Sequence, residues 1–142
     1  MELNKWDSRF LKLAKEISYW SKDPKTKVGC VIANEDHNLI SIGYNGFPRG
    51  VDDHPDYLND KKTKLLLTIH AEVNAILNAN SSLKGATAYV TERPCCHCAI
   101  KLIQSGIKKV VYLNNNPEDW TGDDQVIMKS FLTIAGVELW EV

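Results

Sequence analysis

His70, Glu72, Cys95 and Cys98 are the residues of this sequence whose types and spacing could do chemistry. Two cysteines three apart at the start of a helix place both sulfurs on one face. The positive end of the helix dipole favours thiolates there. Two thiolates and one imidazole suit Zn²⁺, and three protein ligands leave the fourth tetrahedral position open for water. A cation so held lowers the pKa of that water from about 16 to about 7. A proton carrier must then stand nearby. Glu72 is the candidate, and Glu92, beside the cysteine motif, is the next. His70 and Glu72 lie two apart, which on a helix flank would point them in different directions. Both serve one site only if the end of the helix faces the metal, which puts His70 at or just before the first turn.

The elements that must position these residues are legible in outline. Phe10, Leu13, Ala14 and Ile17 recur at three and four, predicting an amphipathic helix over Asp7–Trp20 that Pro24 punctuates. Val28–Ala33 and Leu39–Gly43 are β-rich runs joined by a short polar turn, a hairpin. A long polar loop is expected from Asn45 to Lys62, a length more often functional than idle. Helical patterning resumes after His70 to about Asn80. Ala86–Thr91 is a strand of the buried type, Cys96–Ser105 a helix closed by Gly106, and Lys109–Leu113 another strand. A last helix near Asp124–Ala135 and a short strand at Val137–Glu141 complete the chain. Strand–helix–strand alternation in the second half implies parallel strands with right-handed crossovers. The expected fold is a three-layer α/β/α arrangement in which one mixed sheet begins with a hairpin.

His-x-Glu followed by Pro-Cys-x-x-Cys is the established signature of zinc deaminases, and it stands here as His70-Ala71-Glu72 and Pro94-Cys95-Cys96-His97-Cys98. Each half alone is weak; in order, each opening a helix and separated by a strand, they form a strong signal. Ser21–Gly29, Gly43–Pro48, His70–Ile76, Thr91–Ala99, Ser105–Val111 and Ala135–Val137 extend the match over nearly the whole chain. In these stretches the sequence resembles the deoxycytidylate (dCMP) deaminases of the cytidine-deaminase-like superfamily. Asn74 and the Gly43-Tyr44-Asn45-Gly46 run resemble this family more than tRNA adenosine deaminases or riboflavin-pathway deaminases. The resemblance implies hydrolysis of dCMP to dUMP with release of ammonia, supplying dUMP for dTMP synthesis; small changes around the phosphates would let the same fold accept dCTP as well. It implies a five-stranded sheet, a homohexamer, activation by dCTP and inhibition by dTTP, with Mg²⁺ accompanying a bound triphosphate. One zinc per subunit is expected, held by His70, Cys95 and Cys98, with Glu72 as the catalytic proton carrier. By the same resemblance Asn45 and the Ala71 backbone meet sugar and base. Ser21, Lys22, Thr26 and Lys27 lie in the segment suited to phosphate. Gly43, Tyr44, Gly46, Arg49 and Asn74 are the candidates for effector contacts, Arg49 for substrate phosphate as well.

Each residue also has a plainer reading. Lys22, Lys25 and Lys27 could be a soluble turn, and Asn45 could supply turn geometry beside Gly46. Cys95 and Cys98 could belong to a structural zinc node, with Cys30, Cys96 or His97 as the fourth ligand. That would leave Glu72 without a task. Cys30 in an apolar strand reads as a small buried hydrophobe, Cys96 and His97 as spacers, and His37 and His54 as solvated turn residues. Trp120 either stacks over the substrate or anchors its loop.

Length and composition bound the rest. The 142 residues fit one domain over 1–142, large enough to bury roughly 70% of its unfolded surface. Seventeen Lys and Arg against eighteen Asp and Glu give a net charge of −1. That balance argues against a dedicated nucleic-acid binder, and so against deamination within tRNA. It leaves room for a small anionic substrate. No apolar run reaches membrane-span length, and the N-terminus lacks an apolar signal core. A cytoplasmic protein is expected, in the host cytoplasm if the source is viral. Its four cysteines are then ligands or buried residues, not disulfide partners. A non-catalytic zinc-stabilised assembly module is the alternative from another class.

Overall fold

The computed structural model describes residues 3–114 and 122–142. Its elements are α1 (Lys5–Ser18), β1 (Gly29–Ala33), β2 (Leu39–Tyr44), α2 (Pro55–Leu58), α3 (Lys61–Leu67), α4 (Ala71–Asn78), β3 (Thr87–Val90), α5 (Cys96–Ser105), β4 (Lys109–Tyr112), α6 (Asp123–Ile134) and β5 (Glu138–Glu141). The sheet order is β2-β1-β3-β4-β5. β1 is antiparallel to both β2 and β3, and β3, β4 and β5 are mutually parallel. This is the expected five-stranded mixed sheet with helices on both faces.

The alternation of side chains along the strands builds the two apolar layers. Cys30, Ile32, Ala88, Val90, Val110 and Tyr112 face α4, α5 and α6, where Ala71, Ala75, Ala99, Leu102 and Leu132 meet them. Val31, Ala33, Tyr89 and Val111 face α1, against Phe10, Leu11, Ala14 and Ile17. Because both faces are covered, β1 is buried along its whole length and reads as a continuous apolar run.

Two expectations are corrected here. The first helix begins at Lys5, not Asp7, because Asn4 and Asp7 form a reciprocal capping box. The segment expected as a loop from Asn45 to Lys62 carries the short helix α2 and the first residues of α3. His54 caps α2, whose first residue is Pro55, and Asp60 caps α3 through the Thr63 N–H. Local capping decided these turns against a polar composition that reads as coil. His54 and His37 are exposed, as expected, and each also makes a local contact. His54 Nδ1 accepts the Asp56 N–H at 3.1 Å, and the His37 ring stacks on Trp6 with centroids 4.9 Å apart. No described helix is long and apolar enough to cross a membrane.

Candidate active site

His70 is the N-cap of α4 and Cys95 the N-cap of α5, so both helices present their N-termini to the same place. His70 Nδ1 lies 3.2 Å from Cys98 Sγ and 3.5 Å from Cys95 Sγ. All three ligand atoms fall within 4.8 Å of one another, and they form the only such group among the described residues. Tetrahedral zinc, with bonds of about 2.0–2.3 Å, needs its nitrogen and sulfur ligands about 3.6 Å apart. The donor set and its spacing fit zinc. Cys30, Cys96 and His97 are not part of the group: Cys30 is fully buried in β1, and Cys96 Sγ lies 3.6 Å from the Asp124 carbonyl.

Hydrogen bonding from the Cys98 thiol holds Cys95 down to about 3, with His70 adding to the effect against burial. Donating that bond, together with burial and the Glu72 carboxylate, pushes Cys98 up. Hydrogen bonding to the Cys95 thiolate raises His70. The three side chains thus share protons that a divalent cation would replace. Burial pushes Glu72 up to about 7, opposed by a backbone N–H and by His70. Glu72 is 4% exposed, and its carboxyl can therefore both take and give a proton near neutrality.

A cavity of about 260 Å³ opens beside this group. Its lining includes His70, Glu72 and Cys95, the hydrogen-bonded group of Asp23, Thr26 and Lys64, and Asn45, Ala71, Glu92 and Arg93. Of the residues expected to meet substrate, Thr26, Asn45 and Ala71 are in this lining. Ser21, Lys22 and Lys27 are not. The Ser21 hydroxyl is buried, donating to the Asn45 carbonyl at 2.8 Å and accepting the Asp23 N–H at 3.2 Å. Lys27 Nζ donates to the Ser21 carbonyl, and Lys22 is exposed. The Asn45 amide spans the same turn, accepting from Val28 N–H and donating to the Thr26 carbonyl, each at 2.8 Å. These residues hold the turn in shape.

The sequence reading missed Asp23 and Lys64. Asp23 Oδ1 accepts from Lys25 N–H at 2.8 Å, Thr26 N–H at 3.0 Å and Lys64 Nζ at 3.2 Å. Burial opposes its ionisation, yet these donors hold it below the usual carboxylate range. The available signal was Asp60, the cap that starts α3 and so carries Lys64 into the lining.

The effector candidates gather elsewhere, on the outer edge of β2. Asn74 Nδ2 donates to the Tyr44 carbonyl at 2.8 Å, Asn78 Nδ2 to the Ile42 carbonyl at 3.2 Å, and Arg49 Nη2 to Asn78 Oδ1 at 3.1 Å. Gly46 bridges to Ile69, immediately before His70. Gly43 packs directly beneath α4. Trp120 lies outside the described residues.

Comparison with known proteins decides the family. A family model described as the cytidine and deoxycytidylate deaminase zinc-binding region matches residues 4–114. The chain belongs to that family. It is 43% identical over 141 residues to an uncharacterized deaminase in the luxG 3′ region of Aliivibrio fischeri, covering 96% of this chain and 93% of that protein. It is 37% identical to human deoxycytidylate deaminase, covering 93% of this chain and 76% of the human one. The dCMP deaminase of cyanophage S-TIM5, solved with dCMP and dUMP, superposes with a TM-score of 0.77 over the full length of both chains at 23% identity, a likeness of fold. As a family member with a His/Cys/Cys site, the chain is a zinc-dependent hydrolase that deaminates a cytidine- or deoxycytidylate-type substrate.

Proposed function

We propose that this deaminase converts dCMP and water to dUMP and ammonia, with one zinc held by His70, Cys95 and Cys98. The observation that carries the reading is Glu72, a buried carboxyl that lines the cavity beside the three donors without belonging to them. Bound zinc would supply a water of lowered pKa next to the base. Glu72 takes the proton that this water loses and delivers it to ring N3, which makes C4 electrophilic. The oxygen of that water would add to C4; Glu72 then takes the proton remaining on it and gives it to the amine, which leaves as ammonia when the C4–N bond breaks. The Ala71 backbone and Asn45, both in the lining, would meet base edge and sugar, Asn45 through the second N–H of its amide.

The reading extends to the cell and to control. Four free thiols accord with a reducing cytoplasm. Exposed Trp20 and Tyr44, 6.1 Å apart and edge to face, flank the surface that carries Arg49 and Asn74. This is where we place effector dCTP or dTTP, with Mg²⁺ on the triphosphate, in a homohexamer. The test is a deamination assay of cytidine, CMP, dCMP and dCTP, with and without dCTP and dTTP. The highest kcat/KM should belong to dCMP. Preference for an unphosphorylated nucleoside would overturn the substrate assignment, and indifference to both triphosphates would overturn the regulatory one.

A further inference from the structure

The lysines of the 22–27 turn are the obvious cations for a substrate phosphate in sequence, yet none of them lines the cavity. Among the described residues, the lysines and arginines in the lining are Lys64 and Arg93. Arg93 is two residues from Cys95 in the chain and shares its loop. Lys64 is joined through Asp23 to the Thr26 turn, a part of the lining distinct from the metal donors. A nucleotide that presents its base to His70, Glu72 and Cys95 must lay its other end against a different part of the lining.

We infer that Lys64 is the residue that selects a phosphorylated substrate, with its ammonium bridging Asp23 and the 5′-phosphate. The inference rests on the dCMP reading above and names the group that makes it a nucleotide site.

Several observations support it. The Lys64 side chain is only 14% exposed, so its charge acts in a screened environment where a charge-assisted hydrogen bond is strong. One of its three donors reaches Asp23 Oδ1 at 3.2 Å, leaving capacity for an anion. Asp23 is itself fixed by the Lys25 and Thr26 N–H groups, so the ammonium is held by a rigid turn and does not sweep through solvent. The arm that carries Lys64 is otherwise lightly held. Among the described secondary-structure elements, α2 and α3 pack only against each other. Leu65 and Leu66 on α3 are largely exposed. The Lys64–Asp23 pair is therefore the polar tie between this arm and the facing turn, at the position where a phosphate would be met.

The experiment compares Lys64→Gln and Lys64→Arg with the natural chain on dCMP and deoxycytidine. A parallel calorimetric titration with dUMP and deoxyuridine does not depend on turnover. For Lys64→Gln, the ratio of kcat/KM for dCMP to that for deoxycytidine should fall about 10- to 100-fold, mainly through KM. The binding advantage of dUMP over deoxyuridine should shrink by a similar factor, and Lys64→Arg should restore part of both. An equal loss on both substrates, or a phosphate advantage that survives Lys64→Gln, overturns the assignment of Lys64 alone. A natural chain that gains nothing from the phosphate in either measurement overturns the dCMP reading as well. If the natural chain deaminated neither compound, the dCMP reading would fall by itself, and the dUMP titration would still decide Lys64.

Discussion

Gly43 is the position where one added methyl group should reach the active site without touching it. It lies in β2 beneath α4, where the facing residues Ala71 and Ala75 are themselves small and fully buried. A Cβ at position 43 would run into the Ala71 carbonyl oxygen and the Ala75 nitrogen, and would sit 3.0 Å from the Ala75 Cα, inside ordinary contact distance. All three are backbone atoms, so no side chain can rotate away. α4 must lift by about 1 Å to restore contact at van der Waals range. It cannot lift freely, because Asn74 and Asn78 tie it to β2 and the Ser41 hydroxyl donates to the Ala75 carbonyl at 2.7 Å.

Overpacking of this kind costs about 1–3 kcal/mol. Replacing glycine by alanine at an unstrained position returns about 0.4–1 kcal/mol through the unfolded chain. Gly43→Ala should therefore lose about 1–2 kcal/mol, or roughly 3–8 °C in Tm for a domain of this length. The same lift carries His70 and Glu72, at the start of α4, away from Cys95 and Cys98. A misplacement of about 1 Å can cost about 100-fold in rate. The assay is kcat on dCMP beside Tm and zinc content, with Gly46→Ala as the stability control, since a Cβ there meets nothing within 4 Å. An unchanged Tm and kcat for Gly43→Ala would refute the claim that the strand and α4 have no spare room.

Glu72→Gln keeps volume and hydrogen-bonding reach but cannot carry a proton. It should retain zinc yet deaminate at least about a thousandfold more slowly; a loss below roughly tenfold would move the role to another group, Glu92 first. His70→Ala, Cys95→Ala and Cys98→Ala should each lose zinc and melt earlier, because metal binding is coupled to folding. Full zinc occupancy in all three, by metal analysis, would sink the ligand assignment. Burial and the Asp7 carboxylate, which accepts the phenol proton at 2.9 Å, keep Tyr89 neutral far above its ordinary value. The unfolded chain loses that proton near pH 10 while the folded one keeps it, so stability falls above about pH 10 by up to about 1.4 kcal/mol per pH unit. Denaturant melts of Tyr89→Phe should show a correspondingly shallower alkaline decline; identical slopes would rule out Tyr89 as its source.

Where signals are local, the sequence was legible. The donors sit at helix starts announced by patterning, and the position of His70 at the helix entrance followed from its spacing to Glu72. Ser21 and Lys27 show what spacing alone does not reveal. A polar turn does not reveal whether its hydroxyl faces a ligand or its own backbone, and here Ser21 and Lys27 spend their groups on the turn itself. Lys64 lay hidden because α3 is short and depends on the Asp60 cap, a weak signal inside a charged stretch. The packing of Gly43 against α4 is a tertiary fact, invisible in a motif that reads equally well as a turn.

The topology explains why two motifs more than twenty residues apart must meet. β2 and β3 are each antiparallel to β1, so they point the same way and finish at one edge of the sheet. A helix that follows either strand starts at that edge and runs back. α4 has eight residues, about 12 Å of helix. β3 has four, about 13 Å of extended chain. The outward path along α4 and the return along β3 nearly match, which brings the chain back to its starting edge when it reaches Cys95. Gly29 N–H donates to Thr91 Oγ1 at 3.0 Å there, fixing the loop before the cysteines to the start of β1. The metal donors are thus set by two lengths and one strand polarity, and the loops at the same edge are left to choose the substrate.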